Sequence, residues 1–547
     1  MKRKLTFLMI AIVAIFAFSD LNLSSAFAQQ CGAPSKVTEL NINNIRALFK
    51  NNGSHFCMGN ANLFEVPKGS GKTSFFAASL WMGGVTESGN LHLAAMLYGK
   101  DGNDYYPGPL SISPESATYY DKFWSISKAE IDYHKAHYAD LNYIMPDNIS
   151  TWPAHGNPMY GESANLAPYV SVSGNSTYTP SQGDYPLIRG DQALFWINND
   201  ACPHGESGSI NSLGVEILNM AYAYNRPEYE LQHTIFISHQ IRNKSPRNYY
   251  DFYLSFFVDF DIGYADDDYI GCDTLLNLAY GYNGKEIDDN GSGHPNAYGA
   301  HPPAQGAMFL NQKMNTFMYV SKYSQGPMGP PNNSIEYYNY MRARWRNGIP
   351  LTYGRNGYET SGEITRFMFS GDPVTKTGWT EITPDGPGSI PNVPYDKRGV
   401  MSAEPFTLLA GESICIDIAL PFAQDIEGDN IASVAMLKQK AQAIQLFYDS
   451  QDYSSSCAFN VGIQELRPKS GELKIYPNPT TGELRIENGE FKIENVEIFD
   501  IYGRTLLSLP SLKSFETTLN ISHLPTGLYF VKITTEKGEM IKKIVKE

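Results

Sequence analysis

The stretch YYDFYLSFFVDFDIG, from Tyr249 to Gly263, decides the fold class of this 547-residue chain. Its aromatic and β-branched residues recur in partial alternation, which is typical of a strand that buries at least one face. The preceding stretch HTIFISHQIRN, from His233, has the same character, and a turn-forming interval at 244–248 separates the two. The two stretches therefore predict neighbouring antiparallel strands of a β-sandwich.

The rest of the chain supports a mainly β protein with a large core. Tyrosine (36) and glycine (47) are abundant, 42% of the residues are hydrophobic, and long helical patterns are few. A second strand pair is predicted around 406–409 and 413–420, joined by a short glycine-containing turn. Helical periodicity occurs at Ser116 to Tyr138 and, most clearly, at Asn430 to Tyr448. We expect a β-sandwich-rich body with two or so helices.

The N-terminus predicts export. A basic start, Lys2 to Lys4, precedes an apolar run of about fourteen residues and an Ala26-Phe27-Ala28 cleavage pattern. The run is shorter than the ~20 residues that span a bilayer as a helix, which disfavours the alternative of a retained anchor. The sequence therefore predicts a signal peptide at 1–28 and no membrane-spanning segment in the mature chain.

Composition and turn signals divide the remaining chain. We expect an N-terminal β-rich region with one helix at 29–190, and a β-sandwich region ending in a helix at 191–456; together these form the body. A linker is predicted at 457–471, and a Lys/Glu-rich module of six or seven short alternating strands follows at 472–547. This last module predicts a small immunoglobulin-like β-sandwich.

Spaced motifs in this terminal module carry a resemblance to a known family. YPNP at Tyr476, DIYGR at Asp500, LPTGLY at Leu524 and a closing basic strand occur in order. They resemble the type A sorting domain of the type IX secretion system of Bacteroidetes. The matching residues are Pro477, Asn478, Pro479, Gly482, Asp500, Gly503, Arg504, Leu524, Pro525, Gly527, Tyr529, Lys542 and Lys543.

The resemblance implies a route and two partners. Such a domain directs a chain from the periplasm through the outer membrane, by binding the type IX secretion machinery, and is usually removed by a sortase-like peptidase. The body, through stretches such as SLWMGG at Ser79 and FMFSGDPVTKTGW at Phe367, resembles uncharacterised extracellular regions of such cargo. A cell-surface or secreted protein is therefore expected, and a surface glycan or a protein is the expected ligand of the body.

Charge and cysteine content fit an exported chain. The net charge of −15 includes no basic block, which argues against a nucleic-acid partner. Six cysteines permit three disulfides among 15 pairings, and buried free thiols are the alternative for some of them.

One acidic run indicates a metal site. Asp259, Asp261, Asp266, Asp267 and Asp268 occur within ten residues, and hard carboxylate oxygens gathered in this way suit Ca²⁺. The spacing does not match an EF-hand, and the alternative is a solvated strand end whose aspartates cap turns. A second acidic turn begins at Asp288.

Other patterns that suggest chemistry are weaker. Gly69 to Thr73 lacks the first glycine of a phosphate loop, and the His134/His137 pair lacks the HExxH context of a zinc site. Arg189-Gly190-Asp191 matches the integrin tripeptide, a match that chance alone explains in a chain of this length. Five tryptophans are candidate carbohydrate platforms, with core packing as the alternative: Trp81, Trp124, Trp152, Trp345 and Trp379.

No catalytic residues are predicted. The body is expected to be a structural, adhesive or ligand-binding module. The alternative is an extracellular hydrolase acting on polysaccharide or protein, because a pair of facing carboxylates leaves no local sequence signature.

Overall fold

The computed structural model describes residues 31–172, 174–451, 474–487, 492–500, 504–535 and 538–546. The predicted signal peptide and linker lie outside these ranges. Residues 31–448, which make up most of the body, form one compact unit, and the terminal module belongs to a second.

The body is built mainly from antiparallel strands. Those before residue 200 are β1 (Val37–Leu40), β2 (Arg46–Lys50), β3 (Cys57–Met58), β4 (Ala61–Asn62), β5 (Phe64–Glu65), β6 (Thr73–Val85), β7 (Leu91–Ala94), β8 (Tyr106–Pro107), β9 (Trp124–Ser127), β10 (Tyr169–Val170), β11 (Tyr185–Pro186) and β12 (Gln192–Asn199). Those after residue 200 are β13 (Val215–Ala223), β14 (Thr234–Asn243), β15 (Tyr249–Phe260), β16 (Asp268–Asp273), β17 (Leu278–Asn283), β18 (Ile287–Asp288), β19 (Gly299–Ala300), β20 (Ala304–Phe309), β21 (Met314–Ser321), β22 (Lys397–Ala403), β23 (Phe406–Leu408) and β24 (Ser413–Ala423).

Six α-helices occur in the described ranges: α1 (Ser116–Tyr119), α2 (Lys128–His137), α3 (Asp147–Ser150), α4 (Tyr229–Gln232), α5 (Ser334–Met341) and α6 (Asn430–Asp449). Short 3₁₀ helices occur at Pro158–Tyr160, Pro180–Gln182 and Ala265–Asp267. Among the described residues, no helix is long and apolar enough to cross a membrane.

Two large sheets form a sandwich. The first has the order β1-β2-β5-β6-β15-β22-β21, with β7 beside β6 and β23 beside β15. The second has the order β16-β17-β20-β24-β14-β13-β12-β8, with β9 beside β12. Strands from residues 29–190 and from 191–456 occur in both sheets, so the two expected regions share one core.

Alternation within the strands separates two buried layers. In β14, Ile235 and Ile237 face the core between the sheets, while Phe236 faces a second core on the outer side of the second sheet. Helix α6 covers that outer face with Val434 and Leu437, among other apolar residues. The mainly β sandwich with a late amphipathic helix is confirmed.

The predicted pairing of the opening stretch with its predecessor is wrong. The two stretches are strands, β14 and β15, but β14 pairs with β13 and β24, whereas β15 pairs with β6 and β22. The second predicted pair behaves in the same way, because β23 joins β15 and β24 joins β14. The β14–β15 and β23–β24 connections, which both pass from one sheet to the other, meet at one corner. There the Asn243 side-chain amide donates to the carbonyl oxygens of Arg247 (2.8 Å) and Leu409 (3.1 Å). Alternation identifies a strand but does not show which sheet it joins.

The first helical prediction, Ser116 to Tyr138, is only partly correct, because β9 interrupts it. Helix α2 begins after Ser127, whose hydroxyl accepts from the Glu130 backbone N–H (3.2 Å) while the Glu130 carboxylate accepts from the Ser127 N–H (2.8 Å). This reciprocal cap fixes the start of the helix at Lys128.

The cysteines follow both expected outcomes. Cys31 and Cys202 form a disulfide, and Cys415 is also disulfide-bonded. Cys57 and Cys272 are free and buried.

The terminal module is a small sandwich, as predicted. Its described strands are β25 (Lys474–Tyr476), β26 (Glu483–Glu487), β27 (Ile493–Phe499), β28 (Thr505–Ser514), β29 (Glu516–Asn520), β30 (Gly527–Thr535) and β31 (Gly538–Lys546). They form a three-stranded sheet, β25-β26-β29, and a four-stranded sheet, β28-β27-β30-β31, around one apolar core.

Candidate functional site

The predicted acidic run separates into two groups where the chain leaves β15 and enters β16. Asp259 and Asp261 are alternate residues at the end of β15, and Asp396, just before β22, joins them. One carboxylate oxygen from each of these three residues lies within 4.8 Å of the others. We call Asp259, Asp261 and Asp396 the first aspartate group.

Adjacent strands of the first sheet supply the cations of this group. Arg398 pairs with Asp259 across β15 and β22, and its Nε lies 3.1 Å from Asp259 Oδ1 while Nη1 lies 3.1 Å from Asp396 Oδ1. Lys322, just after β21, places Nζ 2.6 Å from Asp396 Oδ2. The Tyr98 hydroxyl donates to Asp259 Oδ2 over 2.6 Å.

Burial controls the protonation of the first group. Removal from water raises the pKa of Asp259 to about 6, although Arg398 opposes the rise. Burial and the neighbouring charge of Asp259 raise the pKa of Asp261 well above its usual range. Asn62 Nδ2 donates to Asp261 Oδ2 over 3.1 Å. The group is therefore a buried ion-pair network that favours holding a proton.

Asp267 and Asp268 lie at the other end of the connection. Asp267 closes the 3₁₀ turn, and Asp268 opens β16 opposite Asn283 of β17. We call Asp267, Asp268 and Asn283 the second group; these three residues are at most 1% exposed. Asp268 Oδ2 accepts from the Ile262 N–H over 2.9 Å.

Several oxygens of the second group lack hydrogen bonds of good geometry: both carboxylate oxygens of Asp267, Oδ1 of Asp268 and Oδ1 of Asn283. Lys285 Nζ lies 3.6 Å from Asp267 Oδ2, and the lysine side chain is 55% exposed. Burial and repulsion from Asp288 raise the pKa of Asp267 to about 7, while Lys285 and the Asp289 backbone amide lower it in part.

The other predicted acids lie outside both groups. Asp266 accepts from the Tyr323 hydroxyl over 2.5 Å. Asp288 uses both oxygens to accept backbone N–H groups, from Tyr264 (3.0 Å) and Tyr298 (2.5 Å). Sequence reasoning missed Asp396, which the pairing of the distant strands β15 and β22 brings to the acidic run. It also missed Asn283, whose position opposite Asp268 depends on the register of the neighbouring strands β16 and β17.

The weaker patterns have structural roles. All six tryptophans are buried, including the five candidate carbohydrate platforms. Arg189 of the integrin-like tripeptide is buried, and its Nη1 lies 3.0 Å from Asp417 Oδ2. His134 contacts the Tyr143 hydroxyl, whereas His137 pairs with Asp140, so the two imidazoles do not converge.

Motif residues of the terminal module hold its chain ends together. Asn478 Oδ1 accepts from the Val545 N–H, and the Thr480 N–H donates to the Val545 carbonyl oxygen, both over 2.8 Å. Gly482 has φ 146°, and a Cβ there would lie 2.7 Å from the Ser522 Cβ. These contacts explain why the YPNP motif and its following glycine occur in the turn beside the last strand.

The remaining motifs close turns. Asp500 accepts from the Arg504 N–H (3.0 Å) and Nε (2.7 Å), and the Tyr529 hydroxyl donates to the Pro525 carbonyl oxygen (2.7 Å). Leu524 packs against the core and Gly527 begins β30. Exposed positions are Pro477, Pro479 and Lys542; Gly503 and the Lys543 side chain lie outside the described part.

This sandwich matches a known family. Residues 474–547 match the secretion system C-terminal sorting domain. The chain ends in a secretion sorting domain. It is a cargo protein of the type IX secretion system, exported to the cell surface or the medium.

Three solved structures are remotely similar to more than half of the chain. No curated protein matches it. A polysaccharide lyase is similar over 66% of this chain at 9% identity and TM-score 0.18, and the chain spans 37% of the length of that enzyme. A putative aldose 1-epimerase from Escherichia coli K12 is similar over 71% of this chain and 99% of its own, at 9% identity and TM-score 0.24. The CBM51-2 and INT domains of Clostridium perfringens ZmpB are similar over 64% and 95%, at 10% identity and TM-score 0.11.

Proposed function

We propose that the exported body is a ligand-binding module of the cell surface, and that the type IX machinery and a sortase-like peptidase of a Bacteroidetes bacterium deliver it there. The observation that carries this proposal is a depression of about 420 Å³ beside α4. Its volume lies in the usual range of ligand sites, roughly 300–1,000 Å³.

The depression combines aromatic and acidic side chains. Tyr229 and His233 stack with ring centroids 3.9 Å apart, and Phe422 lies beside them. Asp425 and Glu427 add carboxylates. Aromatic edges with neighbouring hydrogen-bond acceptors suit a sugar ring, whose apolar face packs and whose hydroxyls donate. A surface glycan is the ligand class that this lining favours.

The test is a glycan array probed with the mature protein, the Tyr229→Ala and Glu427→Gln variants, and the control Glu115→Gln, which changes an exposed acid elsewhere. We expect wild type and control to bind one set of glycans and the two depression variants to lose at least tenfold in affinity. Binding that both variants retain would contradict the assignment of this depression.

One observation favours the alternative, a hydrolase. A carboxyl whose pKa is raised to about 6 can hold a proton near neutral pH, as a general acid must, and Asp259 has this property. However, Asp259 is 1% exposed and its carboxylate contacts Tyr98 and Arg398, which leaves little access for a polymer. Release of reducing ends from polysaccharides by wild type, lost in Asp259→Asn, would favour the hydrolase over the binding module.

A further inference from the structure

The second group contains more buried oxygen atoms than donors. Asp267 and Asn283 have no measurable exposure and Asp268 is 1% exposed. A buried polar atom without a well-aligned partner destabilises the folded state, so several such atoms close together favour a partner from outside the chain. Water or an ion can fill that role.

Asn283 adds a neutral oxygen to the two carboxylates. Its Nδ2 donates to the Lys285 carbonyl oxygen over 2.9 Å, which identifies Oδ1 as the oxygen left for another contact. Because Asn283 and Asp268 are directly opposed in an antiparallel pair, their side chains share a face, with Cβ atoms about 4.5–5.5 Å apart. A neutral amide oxygen beside carboxylate oxygens is the donor set of a hard cation.

The two acidic groups differ in the cations that the fold supplies. The first group also has buried oxygens that lack hydrogen bonds of good geometry, Oδ1 of Asp259, Asp261 and Asp396. In that group, however, Arg398 Nε lies 3.1 Å from Asp259 Oδ1 and Lys322 Nζ lies 2.6 Å from Asp396 Oδ2. The second group has only Lys285, whose flexible and mostly exposed side chain lies 3.6 Å away and can move into water. The protein's own cations therefore offset the negative charge of the second group less closely than that of the first.

We propose that Asp267, Asp268 and Asn283 bind a calcium ion. Oxygen-only ligands favour Ca²⁺ or Mg²⁺ over Zn²⁺, and an irregular set from a turn and two strands suits the flexible coordination of Ca²⁺ better than the strict octahedron of Mg²⁺. The site lies where the chain passes from β15 of the first sheet to β16 at the edge of the second. A calcium ion there stabilises the connection between the two sheets. This role does not depend on a glycan ligand.

The experiment measures melting temperature and terbium luminescence of the full mature protein after chelation, with calcium or magnesium added back. A cation that binds only the folded state raises the melting temperature by mass action. We expect calcium to raise it in wild type and in Asp261→Asn of the first group, and not in Asp268→Ala or Asn283→Ala. Terbium should bind to wild type with luminescence sensitised by nearby tyrosines, and calcium should displace it.

Measuring terbium binding directly keeps the test decisive if a variant is too unstable for a melting experiment. Asp267→Asn keeps an oxygen ligand and the shape of the side chain, and should weaken terbium binding at least tenfold while the protein stays folded. The proposal is overturned if wild type shows neither a calcium-dependent shift nor terbium binding. It is also overturned if Asp261→Asn abolishes both responses while Asp268→Ala retains them.

Discussion

The acid stability of the body should depend on His239, a buried histidine in β14. Its Nδ1 lies 2.7 Å from the Asn219 side-chain oxygen, so this nitrogen carries the hydrogen, and Nε2 has no hydrogen-bond partner among the described residues. Burial lowers the pKa of His239 to about 4, although Asp417 opposes the change. The folded protein therefore keeps this imidazole neutral at a pH where the unfolded chain protonates it.

The sign and size of the effect follow from linkage. Because the folded pKa of His239 is depressed, the unfolded state binds the proton first as the pH falls below about 6.5, and folding loses free energy down to about pH 4. Between about pH 7.5 and pH 5 this loss amounts to about 2 kcal/mol. Burial also lowers the pKa of His55 in the same core, which adds to the loss in wild type.

Urea denaturation at the two pH values checks this prediction with wild type, His239→Gln and the exposed control His137→Gln. Each variant is compared with itself, so the hydrogen bond lost in His239→Gln cancels. We expect the pH-dependent loss of unfolding free energy to be about 2 kcal/mol smaller in His239→Gln than in wild type and the control. An equal loss in all three proteins would refute the assignment of a neutral buried imidazole.

Three further predictions concern single contacts. Gly482→Ala should destabilise the sorting domain by about 1–3 kcal/mol, because its φ of 146° is strained for alanine; chemical denaturation of the terminal unit measures it. Asn478→Ala should cost about 1 kcal/mol and speed hydrogen exchange of the Val545 amide, whereas amides of β26 should be unaffected. Arg189→Met should cost about 3–5 kcal/mol in thermal denaturation, since it leaves the buried Asp417 without its cation, whereas the same change at an exposed arginine should have little effect.

Local patterns were sufficient for elements whose burial repeats within one segment. The sequence predicts helix α6 at Asn430 to Tyr448, because Val434, Leu437, Ala441 and Ile444 recur on one face. In the structure the helix spans Asn430–Asp449. The terminal sandwich was predicted from short alternating strands and turn residues, and its motifs carried the resemblance that the family match supports. In both cases the information lies within a few tens of residues.

Sheet membership required information that local patterns lack. β14 and β15 alternate and are joined by a short turn, as a hairpin would be, yet they enter different sheets. A hairpin and a passage between sheets differ in the corner around Asn243. There the Asn243 side-chain amide donates to the carbonyl oxygens of Arg247, in the β14–β15 connection, and of Leu408, at the end of β23. Asn243 identifies the corner only when it is known that the β14–β15 and β23–β24 connections lie side by side.

The partners of the acidic run also depend on which strands pair. Residue type predicted one calcium site from five aspartates, but a carboxylate selects its partner from whatever the fold brings near it. Strand pairing delivers Arg398 to Asp259, whereas it places the neutral Asn283 opposite Asp268. The same residue type therefore forms a network with two cations at the end of β15, and a buried cluster with one mostly exposed lysine nearby at the start of β16. In a run of this kind, the residues paired across the sheet decide which carboxylates have a cation of the protein beside them.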